Sequence, residues 1–234
     1  MTTSTHKTAK NPTSLKSAAI LSGVSLLIMT IAAMFAYGFV HSSIVIPNDG
    51  QTTLTNILNA QALFQAEIGV WFLIVILDLL VSYGFYIYLK PAAPQLAKQS
   101  GILRLIYTGV LAYAVVQLQI AFTYARLELP DPTQVMSKIM SFEYIWSVGL
   151  IIFGMHLLFA GRAAYKTRMI PKLWSILLML AGCSYIVINV LNTFTPELSS
   201  FTGLLETGLM LPMTIGEVGF GIWLLVKGRK LESL

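Results

Sequence analysis

Three ionisable residues, Asp78, His156 and Glu217, interrupt long apolar stretches of the sequence. Each is followed, twelve positions later, by a basic residue: Lys90, Arg168 and Arg229. Twelve residues of α-helix rise about 18 Å, which is close to half the thickness of a membrane. If the basic residues mark one membrane surface, this spacing predicts that the three ionisable residues lie at similar depth, near the midplane.

Two acids and one base at the same depth in the membrane indicate a functional site. Insertion scales give a cost of roughly 2.5–3.5 kcal/mol for a charged side chain at the centre of a membrane helix, so such residues face the helix bundle and often bind ligands or relay protons. We expect the group to bind or move a small polar ligand or protons. It could instead serve an enzyme as general acid and base. It could also only order the helices of a structural or partner-binding membrane protein that performs no chemistry.

The same three residues offer one nitrogen and two oxygen ligands for a metal ion, which is the metal-dependent form of the enzyme hypothesis. No HExxH or CxxC spacing supports that form. The sequence specifies no cofactor.

Arg104 and Glu67 are further candidates. Arg104 lies near the start of the third apolar stretch, where it could pair with Asp78 or extend to the membrane surface. Glu67 precedes Asp78 by eleven residues, as Glu206 precedes Glu217, and eleven residues return to the same helix face. The two acids could form an outer ring, or they could lie in water.

Weaker candidates are polar side chains within the apolar stretches, for which hydrogen bonding between helices and ligand binding both remain open. These residues are Tyr107, Gln117 and Asn189. We expect His41 to lie on the solvated surface of a loop.

Composition indicates a membrane protein of the all-α class. Of 234 residues, 56% are hydrophobic and 11% are charged, against roughly 25% charged in soluble domains. Windows of about 20 residues predict six transmembrane helices in one domain, 18–230, after a flexible tail, 1–17. The first stretch could also be a signal peptide, but its apolar run exceeds the usual length of about 15 residues, which favours a retained helix. The predicted spans are 18–40, 62–89, 102–124, 144–160, 173–192 and 209–226.

The distribution of Lys and Arg predicts the orientation of the bundle. Both termini and the second and fourth loops are rich in basic residues, whereas the other loops carry few or none. By the positive-inside rule, both termini are cytoplasmic. The formal net charge of +5 is then explained by contact with anionic lipid, so the predicted partner is the bilayer and not a nucleic acid. The sequence specifies no protein partner.

Several of these segments carry a family resemblance, strongest from Tyr144 onward. The stretches are VILDLLVSYGFYIYLKP, LRLIYTGVL, FEYIWSVGLIIFGMHLLFAGRAAYKTRMIPKLWSILLMLAGCSYIV and GEVGFGIWLLVKG. They resemble the bacterial domain-of-unknown-function 4386 family of multi-pass membrane proteins. The resemblance covers roughly residues 15–230 and implies a six-helix fold in the bacterial cytoplasmic membrane.

The resemblance also bears on the candidate residues. Four of them match polar places in the family pattern: Asp78, Arg104, His156 and Glu217. The segment FQAEIGVWF departs from that pattern, so Glu67 gains no support from it. The family implies no particular activity.

Overall fold

The computed structural model of the protein describes residues 12–228. Within that range it contains helices and turns and no β-strand. A helix satisfies its backbone hydrogen bonds internally, which is what a chain in hydrocarbon requires. Six helices are long and apolar enough to span a membrane, so the prediction of an all-α, six-span fold is confirmed.

Seven helices organise the described residues, and all except the short α2 are candidate spans. They are α1 (Pro12–Ala33, continued by π-helical Met34–His41 and by Ser42–Ile44), α2 (Gly50–Asn59), α3 (Gln61–Leu89), α4 (Pro94–Ala125), α5 (Pro132–Lys166), α6 (Lys172–Phe194) and α7 (Ser199–Thr214, continued by π-helical Ile215–Gly219 and by Phe220–Val226). A single 3₁₀ turn, Pro196–Leu198, precedes α7.

Most helices are longer than the apolar windows predict, because a hydropathy window detects only the part of a helix in hydrocarbon. The start of α5 is the largest case: it begins at Pro132, twelve residues before the predicted span. Proline suits the first turn of a helix, where its missing N–H leaves no bond unmade. The Asp131 carboxylate accepts a hydrogen bond from the Thr133 backbone N–H at 2.8 Å and caps this turn.

Two helix boundaries at the N-terminal side differ from the predicted spans. A separate helix α2, which no predicted span includes, ends just before Ala60, and the second long helix begins at Gln61. Residues 12–17, predicted as part of the tail, form the first turns of α1. Residues 1–11 of that tail lie outside the described residues, as do Arg229 and Lys230 at the other terminus.

The six spanning helices pack as a closed ring. Each packs against its neighbour in the order α1, α3, α4, α5, α6, α7, and α7 returns to α1; α3 also touches α5 inside the ring. The approach of α5 to α6 depends on two glycines, since a Cβ on Gly154 would lie 2.7 Å from the Gly182 carbonyl oxygen and the reverse also holds. The ring encloses an interior that all six helices can reach.

The two ends of the ring differ in charge. We call the end that holds the connections 90–93 and 167–171 the basic end, since Lys90 and Arg168 lie there. The opposite end holds the connections 45–49, 126–131 and 195–198. Its connections carry exposed carboxylates at four positions: Asp49, Glu128, Asp131 and Glu197.

Two π-helical segments interrupt the spanning helices. One of them, Ile215–Gly219, begins three residues after Pro212 in the last span. Proline removes one intrahelical hydrogen bond, which loosens the register of the next turn. The other segment, Met34–His41, lies near the end of α1, just before Ser42–Ile44. Single π turns occur often at functional sites, and these two contain His41 and Glu217.

Candidate functional site

Arg104 on α4 lies at the centre of a buried polar network. Its Nε donates a hydrogen bond to Asp78 Oδ1 on α3 at 2.8 Å, and its Nη2 donates to the same oxygen. The Thr108 hydroxyl donates to Asp78 Oδ2 at 3.0 Å. Arg104 is 1% exposed and Asp78 is fully buried. Of the two alternatives that the sequence left open for Arg104, the structure therefore has the ion pair with Asp78 and not the extension to the surface.

His156 on α5 closes the network from the other side. Its Nε2 lies 3.1 Å from Arg104 Nη1, and its Nδ1 lies 2.9 Å from the Ser100 carbonyl oxygen. A guanidinium can only donate and a carbonyl can only accept. The hydrogen is therefore on Nδ1 and Nε2 accepts, so His156 is a neutral ring with both nitrogens in use.

The structure does not bring the three residues of the possible metal site, Asp78, His156 and Glu217, together as a set of ligands. A metal would need the Nε2 lone pair of His156, which Arg104 occupies. Across residues 12–228, no group of three or more His, Cys, Asp or Glu side chains is arranged to hold a metal ion.

Two aromatic rings enclose the guanidinium. The Arg104 Cζ lies 5.2 Å from the Phe153 ring centre and 5.8 Å from that of Phe85. Such contacts stabilise a cation that water does not reach. Arg104 carries five N–H donors, and its described hydrogen bonds engage three of them.

A cavity of about 360 Å³ lies inside the ring, and residues of all six spanning helices line it. We call it the central cavity. Its walls are largely apolar and aromatic, and they include Trp71, Trp146 and Phe153. The polar side chains on its walls are Thr30, Arg104, Tyr107, Tyr185, Thr214 and Glu217.

Glu217 lies on the wall of the central cavity and not in the Arg104 network. It is half-buried, and Tyr185 of α6 is its polar neighbour on the same wall. Arg104 and Glu217, both of which the structure describes, form no direct ion pair. The three predicted residues therefore lie in two places. Asp78 and His156 bind Arg104, while Glu217 lines the central cavity, whose wall also includes Arg104.

A second, larger depression leads toward the opposite end of the ring. This crevice has a volume of about 610 Å³ and lies between α5, α6 and α7. It shares Trp146, Leu150, Tyr185 and Thr214 with the walls of the central cavity, so the two spaces adjoin.

The crevice is more polar than the central cavity and carries two carboxylates, Glu143 and Glu206. Asn192 Nδ2 donates a hydrogen bond to Glu206 Oε1 at 2.7 Å. Ser147 Oγ donates to Asn189 Oδ1 at 3.0 Å, so the predicted residue Asn189 bonds between helices and also lines the crevice.

The prediction for His41 is wrong. His41 is 4% exposed, because α1 continues through its π-helical turn to Ile44 and carries the ring inside the bundle. Its Nδ1 lies 2.7 Å from Glu67 Oε1 and its Nε2 lies 3.2 Å from Glu143 Oε1. We call His41, Glu67 and Glu143 the His41 triad.

The other secondary candidates, Tyr107, Gln117 and Glu67, lie in different parts of the structure. Tyr107 lines the central cavity, whereas Gln117 is buried on α4 and lines neither space. Glu67 is fully buried in the His41 triad, whereas Glu206 lines the crevice.

Sequence reasoning also missed two small residues of the Arg104 network, Ser100 and Thr108. They lie four positions before and after Arg104, so the three share one face of α4. A search for polar residues at this spacing around the buried arginine would have found them.

Comparison with known proteins agrees with this fold. The family model described as "Domain of unknown function (DUF4386)" matches residues 21–228. An "Uncharacterized protein" of Archaeoglobus fulgidus is 30% identical over 180 residues, which cover 76% of this chain and 93% of that protein. No solved structure matches the chain significantly. The chain therefore belongs to the DUF4386 family, as the sequence resemblance predicts.

Proposed function

We propose that this membrane protein binds a small organic cation, such as a protonated amine, in its central cavity and exchanges it for a proton on Glu217. The observation that carries the proposal is a carboxyl group on the wall of a cavity that all six spanning helices line. The only guanidinium on those walls, that of Arg104, is already paired with Asp78.

The charges around the central cavity indicate that its ligand is positively charged. Asp78 and Arg104 neutralise each other, and the partners of His156 fix it as a neutral ring. Glu217 is then the charge on the cavity wall that lacks a paired cation. A carboxyl inside a membrane is stable when it is protonated or when a cation lies beside it. The cavity is therefore suited to a ligand that carries a positive charge.

The aromatic walls select an organic cation over a metal ion. Trp71 and Trp146 meet edge to face with ring centres 5.0 Å apart, and Phe153 meets Tyr185 in the same way at 5.2 Å. Aromatic faces attract an alkylammonium ion but supply no ligands for a hard metal ion. A volume of about 360 Å³ lies in the range of small-molecule sites, roughly 300–1,000 Å³.

The crevice supplies a route to the central cavity. Glu143 and Glu206 on its walls raise the local concentration of cations, as a cleft lined by one sign of charge does. Because the two spaces share four wall residues, a ligand that enters at the opposite end has a short distance to travel to Glu217.

The charge difference between the two ends of the ring also bears on the location and the orientation of the protein. We propose that residues 18–230 fold as one domain in a bacterial cytoplasmic membrane. The basic end faces the cytoplasm under the positive-inside rule, so the crevice opens to the outside. A cysteine placed at Glu128 should react with an impermeant thiol reagent in intact cells, and one placed at Lys90 should react only after lysis; the reverse result would overturn the orientation.

We assign Asp78, Arg104 and His156 to the positioning of helices α3, α4 and α5. Their contacts leave the carboxylate and both imidazole nitrogens satisfied, which is how a buried polar network rigidifies a core. In this respect the structural role that the sequence left open applies to two of the three predicted residues, and ligand binding rests on Glu217.

The test is the thermal stability of the purified protein in detergent with a panel of probes. Alkylamines and tetraalkylammonium ions should raise the unfolding temperature, whereas neutral alcohols and carboxylates of similar size should not. The shift should be lost in Glu217→Gln and kept in the matched control Glu197→Gln, which removes an exposed carboxylate at the opposite end. Equal shifts in both variants, or no shift with any cation, would refute the proposal.

A further inference from the structure

The His41 triad is a second ionisable cluster, separate from the central cavity. Its three residues come from α1, α3 and α5, and each ring nitrogen of His41 faces one carboxylate oxygen. Within residues 12–228, the ion pairs of Glu67 and Glu143 are both made with His41. The central cavity includes none of the three residues in its walls.

The hydrogen bonds of the triad determine how many protons it holds. An ionised carboxylate can only accept, so each of the two nitrogen-oxygen contacts contains one hydrogen. With both hydrogens on the ring, the triad contains one imidazolium and two carboxylates, which leaves one negative charge in excess. This is the reverse of His156, whose partners fix it as a neutral ring.

Glu67 has room for one further proton. The residue is fully buried, and its Oε2 has no hydrogen-bond partner among the described residues. Its Oε1 is shared by His41 and, at 3.4 Å, by the Trp71 indole N–H. A buried carboxylate oxygen without a donor is costly, and protonation of Glu67 would remove the excess charge.

Water reaches Glu143, and the contacts of His41 connect Glu143 to the buried acid Glu67. Glu143 has a side chain that is 41% exposed and lines the crevice. His41 joins Glu143 to Glu67 by its two ring nitrogens. We propose that the His41 triad is a proton-binding site that takes up one proton from the crevice and stores it on Glu67.

The uptake step balances in protons and charge. A hydronium ion in the crevice becomes water as it gives one proton to the triad by way of Glu143 and the His41 ring, and an O–H bond forms at the free Oε2 of Glu67. Both N–H bonds of His41 are present again at the end, still facing Glu67 Oε1 and Glu143 Oε1. The triad gains one proton, and its net charge changes from minus one to zero.

The groups that surround His41 favour this uptake. The Tyr37 ring of α1 stacks on the imidazole with ring centres 5.1 Å apart, and the Phe142 ring of α5 lies at 5.6 Å. Glu206 of α7 is a further carboxylate in this region, where it interacts electrostatically with Tyr37. The nearby helix α2 contains no ionisable residue. The charged neighbours are therefore acids, which stabilise an added proton.

Nitrogen NMR of histidine-labelled protein tests the resting state. The chain has three histidines, and His6→Gln leaves only the two buried rings in the spectrum. At neutral pH, His41 should show two protonated nitrogens and His156 one protonated and one bare nitrogen. In Glu67→Gln, His41 should acquire a bare nitrogen while the His156 signals stay unchanged. A bare nitrogen on His41 in the otherwise unaltered protein would overturn the proposal.

Infrared difference spectra between neutral and acidic pH test the stored proton. A carbonyl band of a buried, protonated carboxyl should appear on acidification, vanish in Glu67→Gln and persist in Glu197→Gln. A second variant, Glu143→Gln, alters only the half-exposed residue of the triad and can be measured even if Glu67→Gln fails to fold. This variant should retain the Glu67 band, but the band should appear more slowly after a pH jump. A spectrum that neither variant changes would refute the proposal. No ligand is needed, so the outcome is independent of cation binding in the central cavity.

Discussion

Removal of the Asp78 charge tests the buried ion pair at the centre of the bundle. In Asp78→Asn, Arg104 keeps its position but loses the anion that receives two of its N–H groups. Both side chains are essentially inaccessible. Breaking such a pair by removing one partner costs about 3–5 kcal/mol, because the remaining charge stays buried without compensation.

A double-mutant cycle separates this loss from ordinary packing. Arg104→Met alone should cost a similar amount, since it leaves Asp78 charged and unpaired. The double variant Asp78→Asn with Arg104→Met has no buried charge and should be more stable than the sum of the single losses by about 2 kcal/mol or more. His156 then lacks its donor, at a cost of about 1–2 kcal/mol, so the rescue should be incomplete.

The assay is reversible unfolding in mixed micelles of a mild and a denaturing detergent, followed by far-ultraviolet circular dichroism. Thr108→Val, which removes one hydrogen bond to Asp78, is the matched control and should cost about 1 kcal/mol. Strictly additive losses in the double variant would show that the pair does not stabilise the fold in the way that its geometry indicates.

Three further predictions concern packing, capping and access. Gly154→Ala should destabilise the protein by about 1–3 kcal/mol because its Cβ would meet α6 backbone at 2.7 Å, whereas Gly109→Ala, which meets nothing within 4 Å, should be neutral in the same unfolding assay. Hydrogen bonds from Thr52 hold the pKa of Asp49 below its usual range, so α2 should keep its hydrogen-exchange protection above the ordinary carboxyl pKa and lose it as pH falls through the lowered one. Equal protection at neutral pH in Asp49→Ala, which removes the cap, would contradict this. Glu206→Gln should slow the association of an amine and weaken its dependence on salt, and an unchanged association rate by stopped-flow fluorescence would remove Glu206 from the route.

The sequence predicts the fold well because hydropathy and spacing carry the information that a membrane fold needs. Six apolar stretches of sufficient length predict six spanning helices, and the structure has six. The depth argument likewise named Asp78 and His156, and both contact Arg104, which the sequence offered separately as a possible partner of Asp78. Depth follows from counting residues along a helix, at a fixed rise for each residue.

Rotation about the helix axis is what the sequence does not specify. Glu217 and His41 both lie in π-helical turns, which change the angle between successive side chains, so no regular helical wheel gives their directions. His41 also follows the last residue of the predicted first span, and its partner Glu143 is 102 positions away in the chain. Only the packing of α1 against α3 and the approach of α5 bring those groups together.

The central claim is that Glu217 holds either a proton or an organic cation, and proton release on binding measures this directly. An alkylammonium probe is added to the purified protein in weakly buffered solution, with a pH indicator to count released protons and calorimetry to count bound cations. The account predicts about one proton released for each cation bound in the unaltered protein and in Glu197→Gln, and neither binding nor release in Glu217→Gln. Cation binding without proton release at any pH, or equal release in Glu217→Gln, would contradict it.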